Sequence, residues 1–63
     1  MTDQNAQANA LEEAERGNVA LTEARVLWEN GLYSGAVSRA YYAAFHWARA
    51  LLVMQGIEAK THR

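Results

Sequence analysis

Apolar residues recur at intervals of three and four over two stretches of the chain, a pattern that predicts two amphipathic helices. The first helix is expected over residues 9–30, with Asn9 as its N-cap and Gly31 just beyond its end. Residues 1–8 are polar and unpatterned, so we expect a flexible N-terminus before a helical domain over residues 9–63. The apolar positions of the first helix are Leu11, Ala14, Leu21, Ala24, Leu27 and Trp28.

The second helix is expected over residues 34–55, with Ser34 as N-cap and Gly56 as its stop. The link between the helices is short, which favours an antiparallel hairpin. The second helix carries a broad apolar face on one side and an alanine flank beside it. The broad face comprises Val37, Tyr41, Ala44, Phe45, Ala48, Leu51 and Leu52, and the alanine flank comprises Ala36, Ala43, Trp47 and Ala50.

One neighbouring helix covers only one side of such a surface. The pattern therefore predicts an all-α fold in which the hairpin is half of an up-and-down helical bundle, completed by dimerisation or by another protein. Gly17 lies inside the first helical pattern, so either another helix packs closely there or the helix is locally weak. Residues 60–63 look like a loop followed by a helix start with Thr61 as N-cap. We therefore expect a domain that is cut after its first two helices.

The length, composition and charge of the chain limit the classes of function that it can have. A core formed by 63 residues without cysteine rarely supplies more than ~3–5 kcal/mol, so a partner is expected. The net charge of −1 gives no general attraction to nucleic acid, and any such contact would need a local patch. Neither a signal peptide nor a membrane span is apparent, which predicts a cytoplasmic protein. A solvated helix face is the expected role of the glutamates, and no metal or cofactor is predicted. These glutamates are Glu12, Glu13, Glu15, Glu23 and Glu29.

Candidate chemistry lies on the second helix, where Arg39 precedes His46 by seven residues. Two helical turns take about 7.2 residues, so both side chains point the same way, roughly 10 Å apart. Tyr42 and Arg49 complete what we call the polar stripe. A histidine and an arginine that share one face can supply a proton-transfer group and a cation to the same site. A histidine can exchange protons at neutral pH, an arginine can bind two phosphate oxygens, and a two-fold dimer would bring two histidines together.

Two other features have less specific readings. Tyr41, Tyr42, Phe45 and Trp47 could stack on bases, but they point in several directions, which favours packing. His62 could be a second catalytic or phosphate-binding group, although a histidine so near the end of a chain is more often simply exposed.

The run RAYYAAFHWARALL, followed by GIEAKTH and preceded by LEEAERG and NGLYSGAVSRAYYA, resembles the HEPN family over residues 11–63. The resemblance implies a helical bundle and, in many members, a dimeric, metal-independent ribonuclease with an Arg-x4-6-His motif. Such members often pair with a nucleotidyltransferase as toxin and antitoxin. Arg39 and His46 fit this motif at its longest spacing, with Tyr42 and Arg49 placed to bind RNA.

A second reading remains open beside the ribonuclease. The chain would then be a non-catalytic helical module that dimerises or binds a nucleotidyltransferase-like partner through the alanine flank. An inactive fragment is a third reading, in which the missing helices are needed to finish the fold.

Overall fold

The computed structural model describes residues 3–61, with the side chains of residues 4–56. Helix α1 spans Asp3–Glu29 and helix α2 spans Tyr33–Thr61. The two helices lie side by side as an antiparallel hairpin measuring 49 × 14 × 13 Å. This confirms the predicted all-α hairpin. Neither helix, within the residues described, is long and apolar enough to cross a membrane.

The turn between the helices is closed by Gly31, whose φ of 76° is the left-handed conformation expected of it. Its amide donates to the carbonyl of Trp28 at 3.0 Å, and the amide of Leu32 donates to that of Leu27 at 2.9 Å. This pair of bonds is a Schellman motif, which satisfies carbonyls that the helix end leaves without partners. The rings of Trp28 and Tyr33 meet edge to face across the turn, with centroids 4.6 Å apart.

Both helices extend beyond their predicted bounds. Asn9 is not an N-cap, because α1 already includes residues 3–8, which contain neither glycine nor proline. Ser34 is not a cap either, since the first helical bond of α2 runs from the amide of Ala36 to the carbonyl of Leu32.

At the other end, Gly56 does not stop α2. A helical glycine costs only about 1 kcal/mol relative to alanine, and the helix continues to Thr61. Thr61 therefore ends a helix instead of capping a new one. His62 and the role considered for it lie outside the described residues, as do Met1 and Thr2.

The interface between the helices is built from small residues, and we call it the alanine seam. On α1 the buried positions 10, 17 and 24 recur every seven residues, and on α2 positions 36, 43 and 50 do the same. No large side chain among the described residues is fully buried. The seam comprises Ala10, Gly17, Ala20, Ala24, Ala36, Ala43 and Ala50.

This arrangement corrects the expected use of the alanine flank, which packs against α1 and is not available to a partner. Small side chains let two helix axes come closer together than large ones do. The broad apolar face of α2 consequently points outward, and Tyr41 is 75% exposed. On α1, Ala24 is buried as predicted, whereas Leu11 and Trp28 are exposed.

Gly17 lies in close contact with α2, which confirms the first of the two explanations for it. A Cβ atom added there would lie 2.5 Å from both Cδ1 and Nε1 of Trp47, and 3.1 Å from the carbonyl oxygen of Ala43. The Trp47 ring is held in place because its Nε1 donates to the carbonyl of Ala14 at 3.3 Å. The tryptophan thus occupies the space that a side chain at position 17 would need.

Gly17→Ala is expected to destabilise the hairpin. Displacing the Trp47 ring costs about 1–3 kcal/mol, which outweighs the gain in helix propensity of up to ~1 kcal/mol. Thermal unfolding followed by circular dichroism measures the change. The matched control is Gly56→Ala, because none of the described side chains lies within 4 Å of a Cβ atom there. That control should stabilise the chain, and a Gly17→Ala variant as stable as the control would contradict the close packing.

Candidate functional site

The alanine seam contains one buried polar contact near its middle, between Glu13 of α1 and His46 of α2. His46 is 5% exposed and Glu13 is 8% exposed. The imidazole Nδ1 lies 2.5 Å from Oε2 of Glu13. The contact exists because Glu13 lies three residues after Ala10 and four before Gly17, on the face that α1 turns toward α2.

Two arginines approach the same carboxylate from the edges of the seam. Nη1 of Arg16 lies 3.4 Å from Oε1 of Glu13, and Nε of Arg49 lies 3.7 Å from Oε2. Both arginine side chains are more than half exposed, so water screens their attraction. The histidine is therefore the closest partner of the carboxylate.

The pKa of the Glu13 carboxyl is lowered below its ordinary value of 4.5, chiefly by the hydrogen bond with His46. Burial acts in the opposite direction, because it penalises the charged form. The charges of Arg49, His46 and Arg16 add to the lowering. The net direction means that Glu13 carries its negative charge at neutral pH.

The other ring nitrogen of His46, Nε2, is buried and has no hydrogen-bond partner among the described residues. Two aromatic rings of the same helix contact the imidazole. The centroid of Tyr42 lies 4.4 Å from that of His46 and the centroid of Phe45 lies 5.3 Å from it, each at 75°. Both rings are about half exposed, so the imidazole lies one side chain below the surface.

The residues of the polar stripe lie together on α2, but His46 is buried whereas Arg39 is partly exposed. Arg39 and His46 do share a face, and that face is turned toward α1. Arg39 is partly exposed there and pairs with Glu23, with Nη1 and Oε1 3.6 Å apart. Its guanidinium also lies 5.2 Å above the ring of Tyr42, while that of Arg49 lies 5.5 Å above Phe45. Tyr42 thus links Arg39 to the histidine.

The expectation that Glu13 lies on a solvated face is wrong. The physical reason is its position: Glu13 lies seven residues before the buried Ala20, on the face of α1 that packs against α2, and His46 lies opposite. That spacing was the available signal in the sequence. Within the described side chains, no group of three or more metal-ligating residues could hold a metal ion.

The chain belongs to a known class of helical protein. The family model described as the HEPN domain matches residues 10–63, so the chain is a member of the HEPN family. The resemblance seen in the sequence is thereby confirmed.

Several relatives share the matched region. A protein of Methanocaldococcus jannaschii named a "putative toxin" is 52% identical over 42 residues, which are 67% of this chain and 31% of that protein. A UPF0332 protein of Pyrococcus horikoshii is 48% identical over 42 residues, 67% of this chain and 30% of the relative. A UPF0332 protein of Gloeobacter violaceus is 40% identical over 48 residues, 76% of this chain and 38% of the relative.

The matched stretch thus spans only about a third of the length of these relatives. No solved structure matches the chain.

The Glu13 contact predicts a specific loss of stability in acid. Because its pKa is depressed in the folded state, Glu13 contributes stability above its unfolded value near 4.5, and this is lost as pH falls through the folded pKa. Urea midpoints measured between pH 7 and pH 3 should fall more steeply for the native chain than for Glu13→Gln. Glu12→Gln, which neutralises the adjacent exposed glutamate, should keep the native slope. Parallel curves for the native chain and Glu13→Gln would rule out the contact.

Proposed function

We propose that this HEPN-family chain belongs to a toxin-type protein that cleaves RNA without a metal ion. Membership of the family and the name of the Methanocaldococcus relative support this assignment. The observation that carries it is the state of His46, whose Nδ1 is held by a carboxylate while its Nε2 has no partner. An imidazole held in this way has one nitrogen available for proton transfer.

The proposed reaction is a transesterification within the RNA. Nε2 of His46 takes the proton of a 2′-hydroxyl, and the 2′-oxygen attacks the adjacent phosphorus. The bond from phosphorus to the 5′-oxygen breaks, leaving a 2′,3′-cyclic phosphate. The departing 5′-oxygen receives a proton from His46 of a second copy. Every atom and proton is then accounted for by RNA and two histidines.

Arginines of the polar stripe would stabilise the charge on the phosphate. Arg39 and Arg49 are each about half exposed and lie above Tyr42 and Phe45, the rings that contact His46. A guanidinium there can bind two phosphate oxygens. Displacing either half-exposed ring would open the imidazole to the substrate, and a base could stack on Tyr42.

The physiological setting follows from the same assignment. A toxin of this type acts as a dimer, and a nucleotidyltransferase-like antitoxin is its expected protein partner. Dimerisation is part of the mechanism, because each chain brings one His46 to the reaction.

His46→Ala should lower RNA cleavage by roughly a hundredfold or more, since it removes the proton-transfer group. Arg39→Ala should also reduce cleavage, by weakening phosphate binding. Cleavage is followed with a labelled single-stranded RNA in the presence of EDTA. Arg25→Ala is the matched control, because it removes an exposed arginine of α1 away from the stripe. Undiminished cleavage by His46→Ala would reject the ribonuclease, whereas no cleavage by the native chain would favour the inactive fragment.

A non-catalytic association module is the second candidate function, and the exposed broad face of α2 favours it. Tyr41, Leu51 and Leu52 are 75%, 67% and 66% exposed, and they share one side of the helix. Because the alanine flank is occupied by α1, the broad face replaces it as the surface for a second copy.

Leu52→Glu should weaken self-association about tenfold or more, because a buried leucine contributes about 1.5–3 kcal/mol. Sedimentation velocity at micromolar concentrations gives the dissociation constant. Val26→Glu changes a residue that is 52% exposed on α1, and it should leave association unchanged. A native chain that sediments as a monomer at these concentrations would refute the dimer.

A further inference from the structure

The contact between Glu13 and His46 determines which ring nitrogen carries a proton. An ionised carboxylate can only accept hydrogen bonds, so the short contact at Oε2 requires a hydrogen on Nδ1. The two arginines near Glu13 do not compete for this position, because Arg16 reaches the other carboxylate oxygen and Arg49 stays 3.7 Å from Oε2. The geometry therefore selects the Nδ1–H form of the neutral ring.

The surroundings of Nε2 favour the same form. This nitrogen is buried without a partner. If it carried the proton, a buried N–H donor would be left unsatisfied, while Nδ1 would face the carboxylate with a lone pair. An unpaired acceptor is tolerated in protein interiors more readily than an unpaired donor. Both ends of the imidazole thus prefer a proton on Nδ1.

We propose that Glu13 is a positioning residue that holds His46 in the Nδ1–H tautomer, so that Nε2 keeps a free lone pair to accept the proton of an RNA 2′-hydroxyl. The role in cleavage rests on the proposed function. The tautomer itself rests only on the contact across the alanine seam, and it can be tested without substrate.

The direct test is a long-range 1H–15N correlation spectrum of the 63-residue chain, recorded at a pH at which the ring 15N shifts are those of a neutral imidazole. The chain contains two histidines, and His46→Gln assigns their signals. The native protein should show His46 as Nδ1–H. Glu13→Ala should shift it toward Nε2–H, the form that free imidazole prefers, and Glu13→Gln should give a mixture. Glu12→Ala, an equal loss of charge at an exposed neighbour, should leave the spectrum unchanged.

Circular dichroism shows whether each variant is folded, and Glu13→Gln decides the question if Glu13→Ala does not fold. A native His46 in the Nε2–H form would overturn the proposal. An identical tautomer in the native chain and in the deciding Glu13 variant would overturn it as well.

Cleavage assays separate this proposal from the function on which it rests. If Glu13 positions the base, Glu13→Gln should lower kcat, leave KM within about twofold, and shift the rising limb of the pH–rate profile. Glu12→Gln should change neither constant. If His46→Ala cleaves normally, the ribonuclease fails whatever the spectrum shows. If His46→Ala is inactive while Glu13→Gln has the native profile and tautomer, only the positioning role fails.

Discussion

The hydrogen bond between Glu13 and His46 joins the two helices in the middle of an interface made mostly of alanine and glycine. Methyl groups bury little surface, so each contributes little free energy, and the helices are held by many weak contacts. A carboxylate placed among them would be costly if it lacked a partner. The histidine therefore does more than add a hydrogen bond, because it lowers the free-energy cost of burying the Glu13 carboxylate.

Trp47 follows His46 directly and reinforces the same point of the seam. Its ring fills the gap left by Gly17 and donates to a carbonyl of α1, one residue after Glu13. A polar contact and a steric fit thus occur within one helical turn. Elsewhere the seam is lined by small side chains, and the large apolar side chains of α2 lie on the face of that helix directed away from α1. The hairpin is internally well matched yet leaves most of its bulky apolar surface uncovered.

Helix content, the antiparallel link and the left-handed Gly31 could all be predicted from the sequence, because each depends on local preference. The shared face of Arg39 and His46 could be predicted as well, since helical geometry alone determines it. The direction of that face could not. Periodicity shows which residues lie together on a helix. Whether α2 packs against α1 through its alanine flank or through its broad apolar face depends on how closely the two helices approach. The burial of Glu13 depends on tertiary packing in the same way, since its environment comes from a residue 33 positions away.

The seven-residue repeat of small residues on both helices has a consequence for uniqueness. If α2 slid along α1 by one repeat, alanine would again face alanine or glycine, and the apolar packing would hardly distinguish the two alignments. The small groups taken alone therefore specify the alignment of the two helices only weakly. The tight turn at Gly31 and the irregular elements fix the alignment together, because sliding would break the turn, separate Glu13 from His46 and move Trp47 away from Gly17. The hydrogen bond between Glu13 and His46 thus helps to specify the correct alignment of the two helices.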